Sequence, residues 1–366
     1  MTAPATRFEV DLGAIASNVS AIRATLAKRA WLCAALKADA YGFGLVPVAQ
    51  AVTAAGASAL GVGSAEDGIR LRAAGIREPV LVYGGDLLTA STIGDHEHHD
   101  LIATVHDVSS LAASVRSARN RLSVMIEVDV GLTRLGFGPE SVFEAAAEVR
   151  ASPRLELRGI YTHMRVPAGR EAPSLRFQFA RFKTALAAAG PVPVTMAASS
   201  RVLDTFPDMA LDAVDVGRAV YGLLPRKGGH LGPRLRPAFA GLRSCLIAVR
   251  TLSEERTSSD MKHMSRLGVI PFGRAAGMSE LGVGVVLVGG RPASLVGAPS
   301  LQHMRVDLSR HPRARVGDEV VIVGRQGRSS ISVEDVLRAH PAIPDSAIAL
   351  QVRDPVPRFY INRRRG

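Results

Sequence analysis

Lys37 closes a short apolar run, Leu32 to Leu36, and opens a polar stretch holding Asp39, Tyr41, Gly42 and Gly44. The run has the pattern of a fully buried strand. An amine at its end is either a solvated strand terminus or a group held in a low-dielectric site. In the second case desolvation lowers its pKa, as imine formation with an aldehyde requires. Other apolar runs are broken in the same way, by Glu127 with Arg134, by His163, by Ser199 and by Gly217. Glu127 and Arg134 read as a structural ion pair or as an anchored anion receptor. His163 reads as a satisfied core histidine or as a ring-facing donor. Ser199 and Ser200 follow Val194 to Ala197; their hydroxyls and backbone N–H groups either cap a helix or hold a phosphate. Gly217, beside Arg218, permits close backbone approach to such a phosphate.

These residues need elements to position them. Strand-like runs alternate with helical periodicity along the first part of the chain: Phe8 to Asp11, Leu32 to Leu36, Ser58 to Gly63, Pro79 to Tyr83, Leu101 to Val105, Leu122 to Val128, Leu155 to His163, Pro193 to Ala197 and Ala213 to Val216. Strand then helix, repeated about eight times over roughly 220 residues, predicts a (β/α)8 barrel. In such a barrel the catalytic residues sit at the C-terminal ends of the strands, where Lys37, Glu127, His163, Ser199 and Gly217 all fall. Beyond residues 224–229 helical periodicity fades. Short β-branched runs replace it, at Leu246 to Val249, Gly282 to Val288, Val306 to Leu308, Glu319 to Val323 and Ile331 to Val333, with Ser253 to Arg266 polar and loop-like. The expected organisation is a barrel domain over 1–227 and a C-terminal β domain over 228–366. The first strand, about 7–11, fits either domain.

The chain has 366 residues, enough for two domains, and at 47% apolar and 21% charged it is globular rather than disordered. A net charge of +12 raises nucleic acid or an anionic membrane as partners. The arginines are spread along the chain, with one tight cluster at Arg363-Arg364-Arg365, so neither partner is expected. No apolar run reaches membrane-spanning length, and the start MTAPATRFEVD lacks the basic and apolar regions of a secretory signal. Two cysteines, Cys33 and Cys245, are too few for a disulfide framework or a cysteine-rich zinc site. A cytoplasmic protein without a structural metal is the expectation.

The string Lys37-Ala-Asp-Ala-Tyr-Gly-Phe-Gly44 resembles the lysine segment of the alanine racemase family, Lys-Ala-Asp-Ala-Tyr-Gly-His-Gly, with Phe43 in place of the histidine. Glu127-Val-Asp-Val-Gly-Leu-Thr-Arg-Leu-Gly-Phe137 is similar to the family's Val-Asp-Thr-Gly-Met-Asn-Arg-Leu-Gly-Phe, and Gly217-Arg-Ala-Val-Tyr-Gly222 to Gly-Ile-Ala-Leu-Tyr-Gly. The resemblance implies a barrel followed by a β domain, and pyridoxal 5'-phosphate (PLP) carried by Lys37 as a Schiff base. It implies that Lys37 then serves as a base, with Arg134 near the cofactor's phenolic oxygen and the substrate carboxylate. His163 would lie beside the pyridine ring, and Tyr41, Ser199, Gly217 and the backbone of Arg218 would contact the phosphate. Tyr221 equally reads as barrel packing. Glu127 stands where many members have a carbamylated lysine, and would orient Arg134 without the modification. An amino-acid substrate and a homodimer with shared active sites are implied as well.

Three departures stand out. Asp215 replaces an arginine that contacts the pyridine nitrogen, and a carboxylate there favours a protonated ring, a stronger electron sink. Phe272-Gly-Arg-Ala-Ala-Gly277 matches the family's Ile-Gly-Tyr-Ala-Asp-Gly, so Arg274 replaces the tyrosine that serves as second base and Ala276 the aspartate. A guanidinium is a poor base. Lys262, His263 and His303 are substitutes to weigh against plain surface residues. Leu301 and Gln302 replace a Met-Asp pair. Counting back from Val356-Pro-Arg-Phe-Tyr360, the family's phosphate-binding tyrosine falls near Ser346. The expected function is PLP chemistry at an amino acid's Cα, racemisation first. Decarboxylation, retro-aldol cleavage or elimination on the same scaffold is the alternative that Asp215 and the missing tyrosine favour. A non-catalytic PLP carrier is the third reading.

Overall fold

Apolar runs too short for helices and buried on both faces become parallel strands when helices cover them. The computed structural model describes residues 5–166, 172–227, 229–253 and 264–363. After β1 (Arg7–Asp11), eight strands form a closed parallel barrel: β2 (Trp31–Ala35), β3 (Ala59–Val62), β4 (Val80–Val82), β5 (Leu101–Val105), β6 (Leu122–Val128), β7 (Leu155–Thr162), β8 (Thr195–Ser199) and β9 (Ala213–Val216). β9 returns to β2 with Cys33 opposite Asp215, which closes the ring. Helices follow the strands, and their starts are set by local chemistry. Ser64 accepts from the Asp67 N–H at 3.2 Å, and Asp107 and Ser110 form a reciprocal cap.

Strand alternation decides what fills the barrel. Cys33, Leu81, Met125, Tyr161 and Ala213 pack together in one apolar cluster. Two residues further along each chain segment stand Tyr83, Glu127, His163 and Asp215, which line a cavity together with Tyr161. A period of two keeps both sets pointing inward, so the interior turns from apolar to polar near the strands' C-terminal ends.

The chain separates into two compact units. One comprises Gly13–Ala40 and Gly44–Arg236; the other holds the residues through Leu12, Tyr41–Phe43 and the chain from Pro237 onward. The second unit is a mostly antiparallel sheet built from β10 (Phe239–Cys245), β11 (Ala248–Thr251), β12 (Arg266–Ile270), β13 (Val285–Val288), β14 (Arg291–Val296), β15 (Met304–Asp307), β16 (Glu319–Gln326), β17 (Ser329–Ile331) and β18 (Arg358–Ile361). Its order is β11-β12-β15-β14-β13-β16-β10-β1-β18, with β17 on β16, so the N-terminal strand lies between β10 and β18. Phe43 belongs here and is fully buried, its ring 5.9 Å from that of Phe8, which itself meets the Phe239 ring at 4.6 Å in a tilted arrangement. A phenyl ring has no polar nitrogens to satisfy in this fully buried place, which gives the Phe-for-His departure a physical reason.

Several expectations for this half are corrected. The run Leu246 to Val249 straddles the break between β10 and β11, and Ile331 to Val333 is the end of β17 followed by a helix, Val333–Ala339. Ser332 caps that helix reciprocally with Asp335, a signal stronger than the β-branched residues beside it. Lys262 and His263 lie outside the described residues. No helix among the described residues is long and apolar enough to cross a membrane.

Gly42 has φ +86°, and a Cβ there would stand 2.8 Å from the backbone carbon of Ala349 and the nitrogen of Leu350. Gly42→Ala should lower stability by about 1–3 kcal/mol through combined backbone strain and overlap. A thermal melt matching that of the unaltered protein would show that the 349–350 segment yields instead.

Candidate active site

Lys37 leads directly out of β2 into a left-handed helical turn. Ala38, Asp39, Ala40 and Tyr41 have φ of 55°, 52°, 56° and 57°. For L-residues this conformation costs roughly 1–2 kcal/mol each, so the turn must be held. Ala40 N–H donates to the Leu36 carbonyl at 2.8 Å and Gly44 N–H to the Asp39 carbonyl at 2.9 Å. The Asp39 carboxylate accepts from Leu45 N–H at 2.9 Å, the first residue of helix Leu45–Ala54. Tyr41 ends the turn, half-buried.

Lys37, Glu127, Arg134, His163 and Asp215 line one cavity of about 260 Å³, together with Tyr83, Tyr161, Leu135 and three glycines. Lys37 places its amine over the Tyr83 ring, 5.1 Å from the centroid. The Tyr83 hydroxyl donates to Asp215 Oδ1 at 2.6 Å, and His163 Nδ1 lies 3.6 Å from Asp215 Oδ2. Burial alone would push the Asp215 carboxyl up. The His163 contact, the Lys37 amine and the Tyr83 hydroxyl together outweigh it and hold the group below the ordinary carboxylate range.

A second carboxylate has similar partners. Glu127 is buried, with 3% of its surface exposed, and accepts from the Tyr161 hydroxyl at 3.0 Å; Arg134 Nη2 stands 3.7 Å from its other oxygen. Thr104 Oγ1 reaches the same phenol at 3.1 Å. Both phenols are pushed well above the ordinary tyrosine range, first by burial and then by the facing carboxylate, so they remain donors. Arg134 is carried by a loop that Asp129 shapes: its Oδ1 accepts from the N–H groups of Gly131, Leu132 and Thr133 at 2.9, 2.9 and 3.1 Å. Phe137 N–H then donates to the Glu127 carbonyl at 2.9 Å, so the loop closes onto the strand that starts it.

Ser199 pairs in register with Asp215, and Gly217 lies two residues beyond Asp215 on the same chain segment, so these groups end neighbouring strands. Neither Ser199, Gly217 nor Arg218 is among the residues lining the cavity. Ser199 precedes helix Ser200–Thr205 without a capping bond from its side chain, whereas Ser200 Oγ accepts from Ala219 N–H at 3.2 Å. Tyr221 is packing: fully buried, it donates to the Ala35 carbonyl at 3.1 Å. Within the β unit, Arg274 and Ala275 donate their N–H groups to Ser300 and Leu301 carbonyls, each at 2.9 Å. The exposed Arg274, Leu301, Gln302 and His303 thus share one loop cluster. Ser346 lies in the short turn Asp345–Ala347. Sequence reasoning missed Tyr83, Tyr161 and Thr104 as site residues; the signal for Tyr83 was its place at the end of the run Pro79 to Tyr83.

The donor set fits PLP. An amine suits its aldehyde, a carboxylate kept ionised suits a protonated ring nitrogen, and a guanidinium suits an anionic oxygen.

Comparison with known proteins points the same way. A model of the alanine racemase N-terminal domain matches residues 10–225, and one of the alanine racemase C-terminal domain matches residues 241–360. The alanine racemase of Symbiobacterium thermophilum is 33% identical over 371 residues, covering 96% of each chain. That of Desulfosudis oleivorans is 33% identical over 379 residues, covering 97% of this chain and 96% of the relative. The crystal structure of alanine racemase from E. faecalis superposes with a TM-score of 0.88 at 27% identity, over 98% of both chains. The enzyme from D-cycloserine-producing Streptomyces lavendulae gives 0.84 at 30% identity, over 99% of this chain and 98% of the other. Fold and matches define the class, a homologue of PLP-dependent isomerases. The chain belongs to the alanine racemase family.

A carboxyl depressed in the folded state stabilises the fold above its unfolded pKa, and that contribution is lost as pH falls through the folded value. For Asp215 the loss therefore falls below about pH 4. Asp215→Asn should be destabilised at neutral pH, and its gap to the unaltered protein should narrow only below that point. Urea unfolding across this range reads the gap; a gap that does not change with pH would mean that the carboxylate is not held ionised.

Proposed function

We propose that this chain is a PLP-dependent amino-acid racemase with Lys37 as the lysine that holds the cofactor and moves the Cα proton. The observation that carries the reading is the Lys37 amine sharing one barrel cavity with a carboxylate held ionised, Asp215, in a chain of this family. When bound, PLP supplies the electron sink that makes an amino acid's Cα proton removable. Asp215 keeps a proton at the ring nitrogen by charge pairing, and His163 stands beside the same carboxylate. Arg134, tethered by Glu127, receives the substrate carboxylate by forked hydrogen bonds. Tyr41, the Ser199 hydroxyl, and the backbone of Gly217 and Arg218 hold the phosphate. The same family reading makes the protein a homodimer with shared active sites. It also makes it a cytoplasmic enzyme without a nucleic-acid or membrane partner, in keeping with two free thiols, Cys33 and Cys245.

A second reading, a decarboxylase, aldolase or lyase on the same scaffold, is favoured by two observations. By the resemblance, Asp215 stands where the family has a cation at the ring nitrogen, and Arg274 where it has the second-base tyrosine.

Borohydride treatment of the PLP-loaded protein should fix the cofactor onto the peptide containing Lys37, and Lys37→Ala should abolish the label and lower turnover by about 10²–10⁴-fold or more. Chiral analysis of a panel of amino acids then separates the readings. Interconversion of both enantiomers supports the racemase; a single stereoisomer with release of CO2 or an aldehyde rejects it.

A further inference from the structure

Tyr83 is unused by the chemistry above, yet the barrel is built around it. It follows β4, while its partner Asp215 lies on β9, which pairs only with β2 and β8. The phenol therefore crosses the barrel interior to reach the carboxylate. At 2.6 Å the contact is as short as a hydroxyl donating to an ionised oxygen becomes. The ring face of the same side chain meets the Lys37 amine at 5.1 Å. One residue thus sets the spacing between the cofactor-holding amine and the carboxylate.

Gly61 shows that this placement is specified. It lies on β3 between Ala35 and Leu81. A Cβ at Gly61 would stand 2.2 Å from the Tyr83 hydroxyl oxygen and 2.5 Å from Cζ. A glycine inside a strand weakens it, so the position gives up packing to admit the phenol.

We propose that Tyr83 is a positioning residue: it engages Oδ1 of Asp215 so that Oδ2, the oxygen facing His163, is the one presented to the ring nitrogen of the cofactor, and Gly61 is the vacancy that admits it. This rests on the PLP reading of the cavity. Tyr83 does not stand in for the missing second base, because burial and the facing carboxylate keep its phenol protonated. The other groups acting on Asp215 are Lys37 and His163, with the Cys33 thiol and the Tyr161 phenol nearby.

Tyr83→Phe keeps the ring and removes the hydroxyl, so a space-filling role would be unaffected. In cofactor-free protein carrying 13C-carboxyl aspartate, with Asp215→Asn to assign the signal, the Asp215 titration midpoint should rise by about one pH unit or more in Tyr83→Phe. Gly61→Ala, which evicts the phenol, should move it in the same direction. After PLP is added, the absorbance spectrum of Tyr83→Phe should differ from that of the unaltered protein in its pH dependence. An unmoved midpoint in Tyr83→Phe, or a moved midpoint with an unchanged PLP spectrum, overturns the inference. If borohydride places no label on Lys37 of the unaltered protein, the cofactor reading itself falls, a failure seen before any variant is made.

Discussion

Two carboxylates inside a barrel are the constraint around which this site is arranged. Removing a carboxylate from water costs several kcal/mol in effective terms unless opposite charge and donors replace the lost hydration. Asp215 and Glu127 meet that requirement by the same device: a tyrosine from another strand donates to one oxygen, and a cationic or imidazole side chain faces the other. The two tyrosine rings meet edge-on, with centroids 6.3 Å apart. The pairs are therefore mechanically joined, and movement of one phenol would disturb the donor to the other acid. Lys37 and Arg134 line the same cavity, so each acid has a basic side chain in its surroundings.

The second constraint is backbone strain. Four successive residues in the left-handed region immediately after Lys37 are unfavourable in isolation. They persist because the carbonyls and carboxylate around the turn are committed, above all Asp39, which serves Gly44 through its carbonyl and Leu45 through its side chain. Strain over-determined in this way sits at sites that need a fixed geometry. The lysine enters the turn from a strand whose other residues are locked in barrel register, so its stem has little freedom on either side.

How much of this was legible depended on whether chemistry broke a pattern. Lys37, Glu127 and His163 interrupt apolar runs, and a charged or titratable side chain among Val, Leu and Ile needs an explanation that sequence alone can demand. Their places at the C-terminal ends of strands then gather them on one rim, once a closed barrel is assumed. Tyr83 and Tyr161 interrupt nothing: a tyrosine at a strand end is what packing predicts, and only closure of the ring shows that Tyr83 spans the lumen to Asp215. Gly61 is equally silent, because its role is the space it leaves for a residue on the neighbouring strand. In the β unit the loss is local. Ile331 to Val333 satisfies a β-branched template, and the reciprocal cap between Ser332 and Asp335 reveals a helix only when read as a pair.

Asp215, at the position where the resemblance expects an arginine, is surrounded by the partners a buried carboxylate requires. Putting Asp215 where an arginine is usual changes the local charge by two units, and a carboxylate without partners at that depth would titrate upward and neutralise. The partners it needs are present: a phenol within hydrogen-bond reach, a strand glycine that gives that phenol room, and an imidazole facing the remaining oxygen. Under the PLP reading proposed above, the aspartate would stabilise positive charge at the ring nitrogen. That favours stronger electron withdrawal from Cα than a cationic neighbour would.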